Sequence, residues 1–388
     1  MDNKKVEILF CGDLAPIGTN ERLLLDEIDL FSDVRLEIQK SDIVFVNLEA
    51  PLTNSNNKIL KNGPCLKANP KVITNIKKAG FNLVGLANNH IMDYGKQGLT
   101  DTIQSCKQED IDTIGAGNNL EEAQKIFYKT VDNVQIAIIA IAEHEFSIAS
   151  KYSAGSAPLD IIDNYNQIKE AKSNADVVIV TLHGGNEYFQ YPRPLLRKAC
   201  KHFIDLGVDA VICHHIHTVG AYEEYEEKFI SYGLGNFLFD STEEKKNWDK
   251  GYMVRLSIDK SLENEISFEI IPYSQHIDYP GIKKLKGNDK ELFLKELENI
   301  NDTLKNNELW LKKWDDWCEK KSKSYIVSNY LPFKFRGIGV ITRNINLSKI
   351  FSIKNTIPSK INFLECESHR EVLLNILNKK MGTNEKDT

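Results

Sequence analysis

The sequence predicts an α/β fold for the first two-thirds of the chain. Short runs rich in β-branched residues alternate there with amphipathic stretches, as in chains whose strands and helices take turns. Most runs are apolar at consecutive positions, which indicates a sheet covered on both faces. The six runs are Val6–Phe10, Ile43–Val46, Leu83–Leu86, Ile136–Ile141, Val177–Leu182 and Val208–Cys213.

Between these runs, the segment 72–79 shows helical spacing. Its apolar residues recur at intervals of three and four, and the pattern stops at Gly80, a residue typical of helix ends. The pattern changes after residue 233, where Gly251–Ile258 and Glu265–Pro272 are predicted to form a hairpin or meander. We therefore expect one mixed α/β unit over residues 1–280.

Residues 281–388 are predicted to form a mainly helical C-terminal subdomain. Apolar side chains recur at helical intervals in two stretches, which are Phe293, Leu297, Ile300 and Leu304, then Trp310, Trp314 and Trp317. A packed appendage, a lid over a site, a homodimer contact and a docking surface for a partner all fit this pattern.

Net charge, cysteine spacing and apolar runs exclude several classes of protein. The net charge of -6 argues against a nucleic-acid surface, which needs a concentrated basic face. A polyanionic ligand is still allowed, because a bound metal ion reverses the local sign of charge. The seven cysteines are scattered without a CxxC pair, so neither a disulfide framework nor a zinc site of the cysteine type is expected. No leader and no apolar run of about 18 residues is found, so a cytoplasmic protein without a membrane segment is expected.

Polar clusters follow five of the strand runs. Ligands of open α/β sheets bind at the carboxyl ends of strands, so these side chains are expected to meet. Five of the nine histidines fall in the clusters, which mix oxygen and nitrogen donors suited to manganese, iron or zinc. The clusters are Cys11-Gly12-Asp13, Asn47-Leu48-Glu49, Asn88-Asn89-His90, His183-Gly184-Gly185-Asn186-Glu187 and His214-His215-Ile216-His217. One or two divalent ions are therefore expected at this edge.

Several stretches resemble the CapA family of capsule (poly-γ-glutamate) synthesis proteins. They include GDLAPIG, DIVFVNLEAPLT, AGFNLVGLANNHIMDYG, ADVVIVTLHGGNEY, GVDAVICHHIHTVG and YGLGNFLFD, and the resemblance covers about residues 6 to 275. The family is similar to the calcineurin-like metallophosphoesterases. The resemblance thus implies a four-layer αββα sandwich with a dimetal centre.

The resemblance also implies metal ligands. Asp13 is expected on the first metal, and Glu49 is expected between the metals, where the superfamily has an aspartate. Asn89 and His183 are expected on the second metal. Two histidines one residue apart would give one nitrogen donor to each metal: His215 and His217.

Three further residues are implied near the substrate. His90 would be the catalytic proton donor, and Asp93 and Glu187 would orient imidazole rings. Ala15 departs from the broader superfamily, which has a histidine there, so the first metal lacks a ligand. His214 is read either as a substrate contact or as the first residue of a helix.

Three functions fit this pattern. The first is phosphoester hydrolysis on a phosphorylated or polyanionic small molecule or polymer, because two metals about 4 Å apart polarise a phosphoryl oxygen and activate a water. The second is hydrolysis of a γ-glutamyl amide on the same centre. The third is a capsule-assembly factor without catalysis, which Ala15 favours.

Overall fold

Two β-sheets packed face to face form the centre of the protein. The structure is a computed structural model that describes residues 5–240, 248–262, 264–275, 280–330 and 357–381. The strands are β1 (Val6–Ala15), β2 (Ile43–Leu48), β3 (Leu83–Gly85), β4 (Asp112–Ile114), β5 (Ala116–Gly117), β6 (Phe127–Val131), β7 (Val134–Ala142), β8 (Gly155–Ser156), β9 (Val177–His183), β10 (Ala210–His214), β11 (Tyr222–Tyr225), β12 (Lys228–Ser231), β13 (Asn236–Phe239), β14 (Lys250–Asp259), β15 (Glu265–Gln275) and β16 (Ile282–Lys284).

Helices cover the outer faces and make up the C-terminal region. In chain order they are α1 (Gly18–Leu25), α2 (Arg35–Gln39), α3 (Val72–Ala79), α4 (Gly95–Gln108), α5 (Leu120–Ala123), α6 (Ile161–Asn174), α7 (Pro194–Asp205), α8 (Gly287–Lys305), α9 (Asn307–Tyr330), α10 (Ile357–Glu365) and α11 (Glu367–Met381). Helix α3 ends at Gly80 as predicted, in the left-handed conformation that glycine adopts at low cost.

The first sheet has the strand order β16-β15-β14-β1-β2-β3-β4, with β13 also paired to β1. The second has the order β11-β12-β10-β9-β7-β6. Strands β1 to β4 run parallel, as do β7, β9, β10 and β12, so the carboxyl ends of each set lie at one edge. The six predicted strand runs coincide with β1, β2, β3, β7, β9 and β10, within about two residues at each end except for β1, which continues five residues past Phe10 to Ala15.

Three apolar cores separate four layers. The first joins helices α1 to α4 to one face of the first sheet, as Ile76 of α3 packs with Val46 of β2. The second lies between the sheets, where Phe10 and Ile179 belong to one cluster. The third joins α6 and α7 to the second sheet, with Phe203 among its members. The predicted α/β class and αββα sandwich are confirmed.

The C-terminal helices pack on one end of this sandwich. Helix α8 places Phe293 and Leu297 in the core between the sheets, and Trp310 of α9 joins the third core. Strand β16 extends the first sheet beyond residue 280, and the helices begin at Gly287. The mainly helical character of the described C-terminal residues is confirmed, and the division of the chain at residue 280 stays a prediction. No helix in the described ranges has both the length and the apolar character that crossing a bilayer requires.

A buried ion cluster holds α11 against the sandwich. Arg193, which is 1% exposed, donates to Glu143 at 2.5 Å and to Glu371 of α11. The backbone N–H of Leu195 at the start of α7 also donates to Glu371, at 3.0 Å. Because buried charges are costly without partners, this cluster fixes where α11 sits.

We predict that Arg193→Ala lowers the free energy of unfolding by about 3–5 kcal/mol, because two buried carboxylates lose their shared cation. Urea denaturation followed by circular dichroism measures this value. The matched control is Lys305→Ala, which removes an exposed ion pair with Asp302. Loss of an exposed pair is expected to cost less than about 1 kcal/mol. Equal effects of the two substitutions would contradict the role of the cluster.

Candidate metal centre

A bulge in β1 presents the carboxylate of Asp13. The register between β1 and β2 shifts between Cys11 and Asp13, and such a shift re-aims a side chain. Gly12 is required at this bulge, because a Cβ atom there would lie 2.0 Å from the carbonyl oxygen of Gly235. The Asp13 N–H donates to that same carbonyl at 3.1 Å. Close packing of two glycine-containing segments therefore fixes the position of Asp13.

Glu49 follows β2 and is completely buried. Neither of its carboxylate oxygens has a hydrogen-bond partner among the described residues. The Nε2 atoms of His183 and His217 each lie 3.6 Å from Glu49 Oε1. Since an ionised carboxylate is seldom buried without a hydrogen bond or a cation, this arrangement fits a bound metal.

Two groups of potential ligands share Glu49. One group adds His183 and His215, and the other adds Asp13 and His217, with the ligand atoms of each group within 4.8 Å of one another. His183 Nε2 lies 3.1 Å from His215 Nδ1 and 3.1 Å from the amide oxygen of Asn89. A carboxylate common to two ligand groups is the geometry of a dinuclear centre. Carboxylate, amide and imidazole donors suit manganese, iron or zinc.

The two histidines of the centre that follow β10 lie on a strained turn. His215 and His217 have φ angles of 88° and 56°, in the left-handed region that costs non-glycine residues about 1–3 kcal/mol. The backbone N–H of His215 donates to Asp13 at 3.1 Å, which ties the turn to β1. Strain at both histidines of an HxH pair is consistent with a turn selected to present ligands.

Amide side chains that the sequence analysis did not select support the centre. The Asn47 Nδ2 atom donates to Asp13 at 2.8 Å and lies 3.1 Å from Nδ1 of His183. Asn88 in turn donates to Asn47 at 3.2 Å. The side-chain oxygen of Asn236 lies 3.0 Å from Nδ1 of His217, at hydrogen-bond distance. Such partners orient metal-binding rings. Asn47 and Asn88 belong to the polar clusters found in the sequence and Asn236 to the stretch YGLGNFLFD, but none of the three was predicted to support a ligand.

Ala15 and His214 are two further positions singled out in the sequence. Ala15 is buried against Phe239 and Trp248 and offers no ligand. His214 is the last residue of β10 rather than the start of a helix, so that prediction is wrong. Its Nδ1 atom lies 3.3 Å from Asp13 Oδ1. The strand continues because its pairing with β9 extends to the His214–His183 pair.

Burial and charge set the protonation of the ligands. Burial raises the pKa of Asp13, but a hydrogen bond and positive charge from His214 outweigh it and hold the pKa well below its usual range. Burial, followed by the charge of Asp13, raises the pKa of Glu49 well above its usual value. Burial also lowers the pKa of His183 and of His217. The imidazoles are thus neutral and available to bind a metal at neutral pH.

His90 belongs to a separate hydrogen-bonded group. Its Nδ1 atom lies 2.6 Å from Asp93 Oδ2, and Lys61 Nζ lies 2.6 Å from the other oxygen of Asp93. The Asp93 carboxylate, which is paired with Lys61, can only accept a hydrogen bond, so Nδ1 of His90 carries the hydrogen and donates it. Asp93 therefore orients His90, not one of the candidate metal ligands. Burial and the charge of Lys61 lower the pKa of His90.

A cavity of about 480 Å³ opens beside the centre. Asn89, His90 and His215 line one side, and the exposed Glu187 lies on its wall. The C-terminal helices contribute Trp317, Lys321, Tyr325, Asn362, Ser368 and His369 to the lining. They therefore form a wall of the cavity, a contact that the helical spacing of these residues does not specify.

The structure brings the sequence-predicted residues together. The six candidate ligands are Glu49 and five residues grouped around it. The two candidate catalytic carboxylates lie apart from each other, since Asp93 is bonded to His90 and Glu187 lies at the cavity wall. The individual roles of these residues stay predictions.

A layered α/β protein with carboxylate and imidazole donors at its strand ends is the class that this fold and site define. The family described as bacterial capsule synthesis protein PGA_cap matches residues 7–241. This chain belongs to that family. The match contains all six candidate metal ligands and ends before the C-terminal helices.

Curated relatives agree with this membership. The chain is 32% identical over 251 residues to the capsule biosynthesis protein CapA of Bacillus anthracis, an alignment covering 62% of this chain and 61% of the relative. It is 31% identical over 275 residues to the PGA biosynthesis protein CapA of Bacillus subtilis, covering 69% and 70%. The chain thus spans less than two-thirds of the Bacillus anthracis protein.

Solved structures show a partial likeness. A phosphatase of Mycoplasma pneumoniae has a TM-score of 0.43 at 17% identity, covering 69% of this chain and 93% of the phosphatase. A 5'-nucleotidase precursor of Thermus thermophilus has a TM-score of 0.40 at 12% identity, covering 76% of this chain and 59% of the nucleotidase.

We predict that the protein binds about two manganese ions per chain after loading and gel filtration. Glu49→Gln is expected to remove both ions, because both ligand groups contain this carboxylate, and His183→Ala is expected to remove one. Inductively coupled plasma mass spectrometry measures the content. His202→Ala, which replaces an imidazole outside the centre, is the control and should keep both. Full manganese content in Glu49→Gln would refute a shared carboxylate.

In the presence of a chelator, Glu49→Gln is predicted to stabilise the protein. The pKa of Glu49 is raised on folding from about 4.5, so wild-type stability is lost as pH rises above that value. The free energy of unfolding should be nearly the same for variant and wild type below pH 4.5. Above that pH, the variant's value should exceed the wild-type value by about 1.4 kcal/mol more per pH unit, until the pKa of Glu49 in the folded protein is reached. Urea denaturation at several pH values measures it, and excess manganese should reverse the order.

Proposed function

We propose that this protein is a metal-dependent phosphoesterase acting on a phosphorylated intermediate of capsule or other surface-polymer synthesis. The observation that carries the proposal is Glu49, a buried carboxylate shared by two ligand groups, beside a cavity lined by His90. The resemblance of the candidate-ligand stretches to those of the CapA family, which is similar to the calcineurin-like metallophosphoesterases, supports it.

Divalent ions at such a centre supply Lewis-acid polarisation of a phosphoryl oxygen and activation of a water. Asp13, Glu49 and His217 would hold one ion, and Glu49, Asn89, His183 and His215 would hold the other. His90 would supply the proton for the leaving group in its imidazolium form, in which the Nδ1–H is bonded to Asp93 and the second proton, on Nε2, passes to the leaving oxygen.

The cavity suits an anionic substrate. Its volume of about 480 Å³ is in the range of sites for small molecules or for the end of a polymer. Lys61, which is paired with Asp93, and Lys321 line it together with Glu145 and Glu187, so the positive charge that attracts an anionic group would come from the bound metal ions. Membership in a capsule synthesis family supports a phosphorylated precursor of a surface polymer as the substrate class.

Ala15 favours a second candidate function, in which the protein assists assembly without turnover. A first-metal site without this ligand has fewer donors than the second. The two candidates differ in one result, since an assembly factor would keep its biological activity after His183→Ala.

We predict that the manganese-loaded protein hydrolyses p-nitrophenyl phosphate or bis(p-nitrophenyl) phosphate. Glu49→Gln should abolish turnover. His90→Ala should reduce kcat by about 10²–10⁴-fold on an alkyl phosphate, whose poor leaving group needs a proton, and less on the p-nitrophenyl esters. Released phosphate and p-nitrophenol are measured.

The metal content of His90→Ala serves as the control and should equal that of the wild type. A fully metal-loaded wild type that is inactive on all phosphomonoesters and phosphodiesters tested would overturn the proposal. Release of glutamate from poly-γ-glutamate, absent in Glu49→Gln, would instead establish amide hydrolysis at the same centre.

A further inference from the structure

We propose that Glu145, Cys366 and His369 form a separate binding site for a zinc-like metal ion on the wall of the same cavity. The ligand atoms of these three residues lie within 4.8 Å of one another. Glu145 comes from the loop after β7, and the other two flank the start of α11. The site shares no residue with the centre around Glu49.

The distance between His369 and Glu145 fits two ligands of one ion better than a direct hydrogen bond. His369 Nε2 lies 3.8 Å from Glu145 Oε1, and the Cys366 thiol donates a long S–H···O bond to the same oxygen, also at 3.8 Å. An N–H···O hydrogen bond has its heavy atoms about 2.7–3.2 Å apart. Ligands about 2.0–2.3 Å from a tetrahedral zinc ion are separated from one another by roughly 3.3–3.6 Å. A shift of a few tenths of an ångström would therefore bring the three groups onto one ion.

Cys366 precedes α11, and the backbone N–H of His369 in the first helical turn bonds to its sulfur. Burial and the carboxylates of Glu145 and Glu143 raise the pKa of the thiol well above its usual value, so a bound cation is needed to favour the thiolate. Ser368 Oγ lies 3.1 Å from the sulfur and has a hydroxyl hydrogen to donate. Backbone N–H groups at a helix start stabilise negative charge on sulfur, the form that binds metals.

His369 is held by a partner of the kind found behind metal-binding imidazoles. Its Nδ1 atom lies 2.7 Å from the hydroxyl of Tyr325 on α9. A ring whose Nδ1 is fixed by an oxygen partner presents Nε2 to the ion, and Nε2 is the atom that faces Glu145. The candidate ligands are thus a CxxH pair, Cys366 and His369, together with Glu145, which is distant in sequence. The search for CxxC pairs in the sequence therefore did not find this site.

The chemistry of the donors points to zinc. Thiolate, imidazole and carboxylate together suit a borderline-soft ion, and a thiolate is a poor ligand for manganese. Three protein ligands leave a fourth position of a tetrahedral ion open. Glu145 and His369 line the cavity, so that position faces the place where a substrate would bind. An anionic group of the substrate is the expected fourth ligand.

Cobalt titration tests the site, because a thiolate bound to Co²⁺ gives an intense near-ultraviolet charge-transfer band and the centre around Glu49 has no cysteine ligand. The wild type should develop the band and saturate at one equivalent of thiolate-bound cobalt. Cys366→Ser should lose the band entirely, and His369→Gln should weaken cobalt binding at least tenfold. Added zinc should displace the cobalt.

Two controls isolate the site. Cys65→Ser, which changes a half-buried thiol elsewhere, should keep the band, and Glu49→Gln should keep it while losing manganese. No band in the wild type, or a band that persists in correctly folded Cys366→Ser, would overturn the proposal. Circular dichroism checks the fold of each variant. Since the readout needs no turnover, failure of the phosphoesterase proposal would leave this result unaffected.

Discussion

A buried carboxylate without a hydrogen bond is the constraint on which the arrangement of this protein depends. Glu49 lies where the carboxyl edges of the two sheets meet, and its oxygens face imidazoles at 3.6 Å rather than any donor at hydrogen-bond distance. Such a group is costly in a folded chain unless a cation accompanies it. The bulge at Asp13, the strained turn that carries His215 and His217, and the amide of Asn47 all surround this position. The buried charge and the backbone strain are both explained if these residues together bind a cation.

Much of the sandwich could be predicted from the sequence, because its strands are buried on both faces and therefore carry consecutive apolar residues. The polar clusters were equally visible, since in parallel sheets chemistry collects at the ends of strands. Asp13, Glu49 and His183 were found from this rule together with the resemblance to a known family. His214 was misread, because its strand pairing with His183 depends on a neighbour that is distant in sequence.

Other parts of the site depend on contacts that leave no periodic trace. Asn47 and Asn236 support the ligands through single hydrogen bonds, and an isolated asparagine is equally common in turns. The docking of α11 depends on Arg193, which sits in sequence nowhere near Glu371. The tryptophan spacing in α9 predicted a helix but not which surface it covers. Trp314 packs with Phe189, and Trp317 reaches the cavity wall.

The cavity wall formed by α9 and α11 lies outside the segment that matches the family, whereas the candidate metal ligands lie inside it. The candidate metal ligands and this part of the cavity wall are thus encoded in separate stretches of the gene. Under the proposed function, substitutions in the last hundred residues would change which molecule reaches the centre and leave every candidate metal ligand in place.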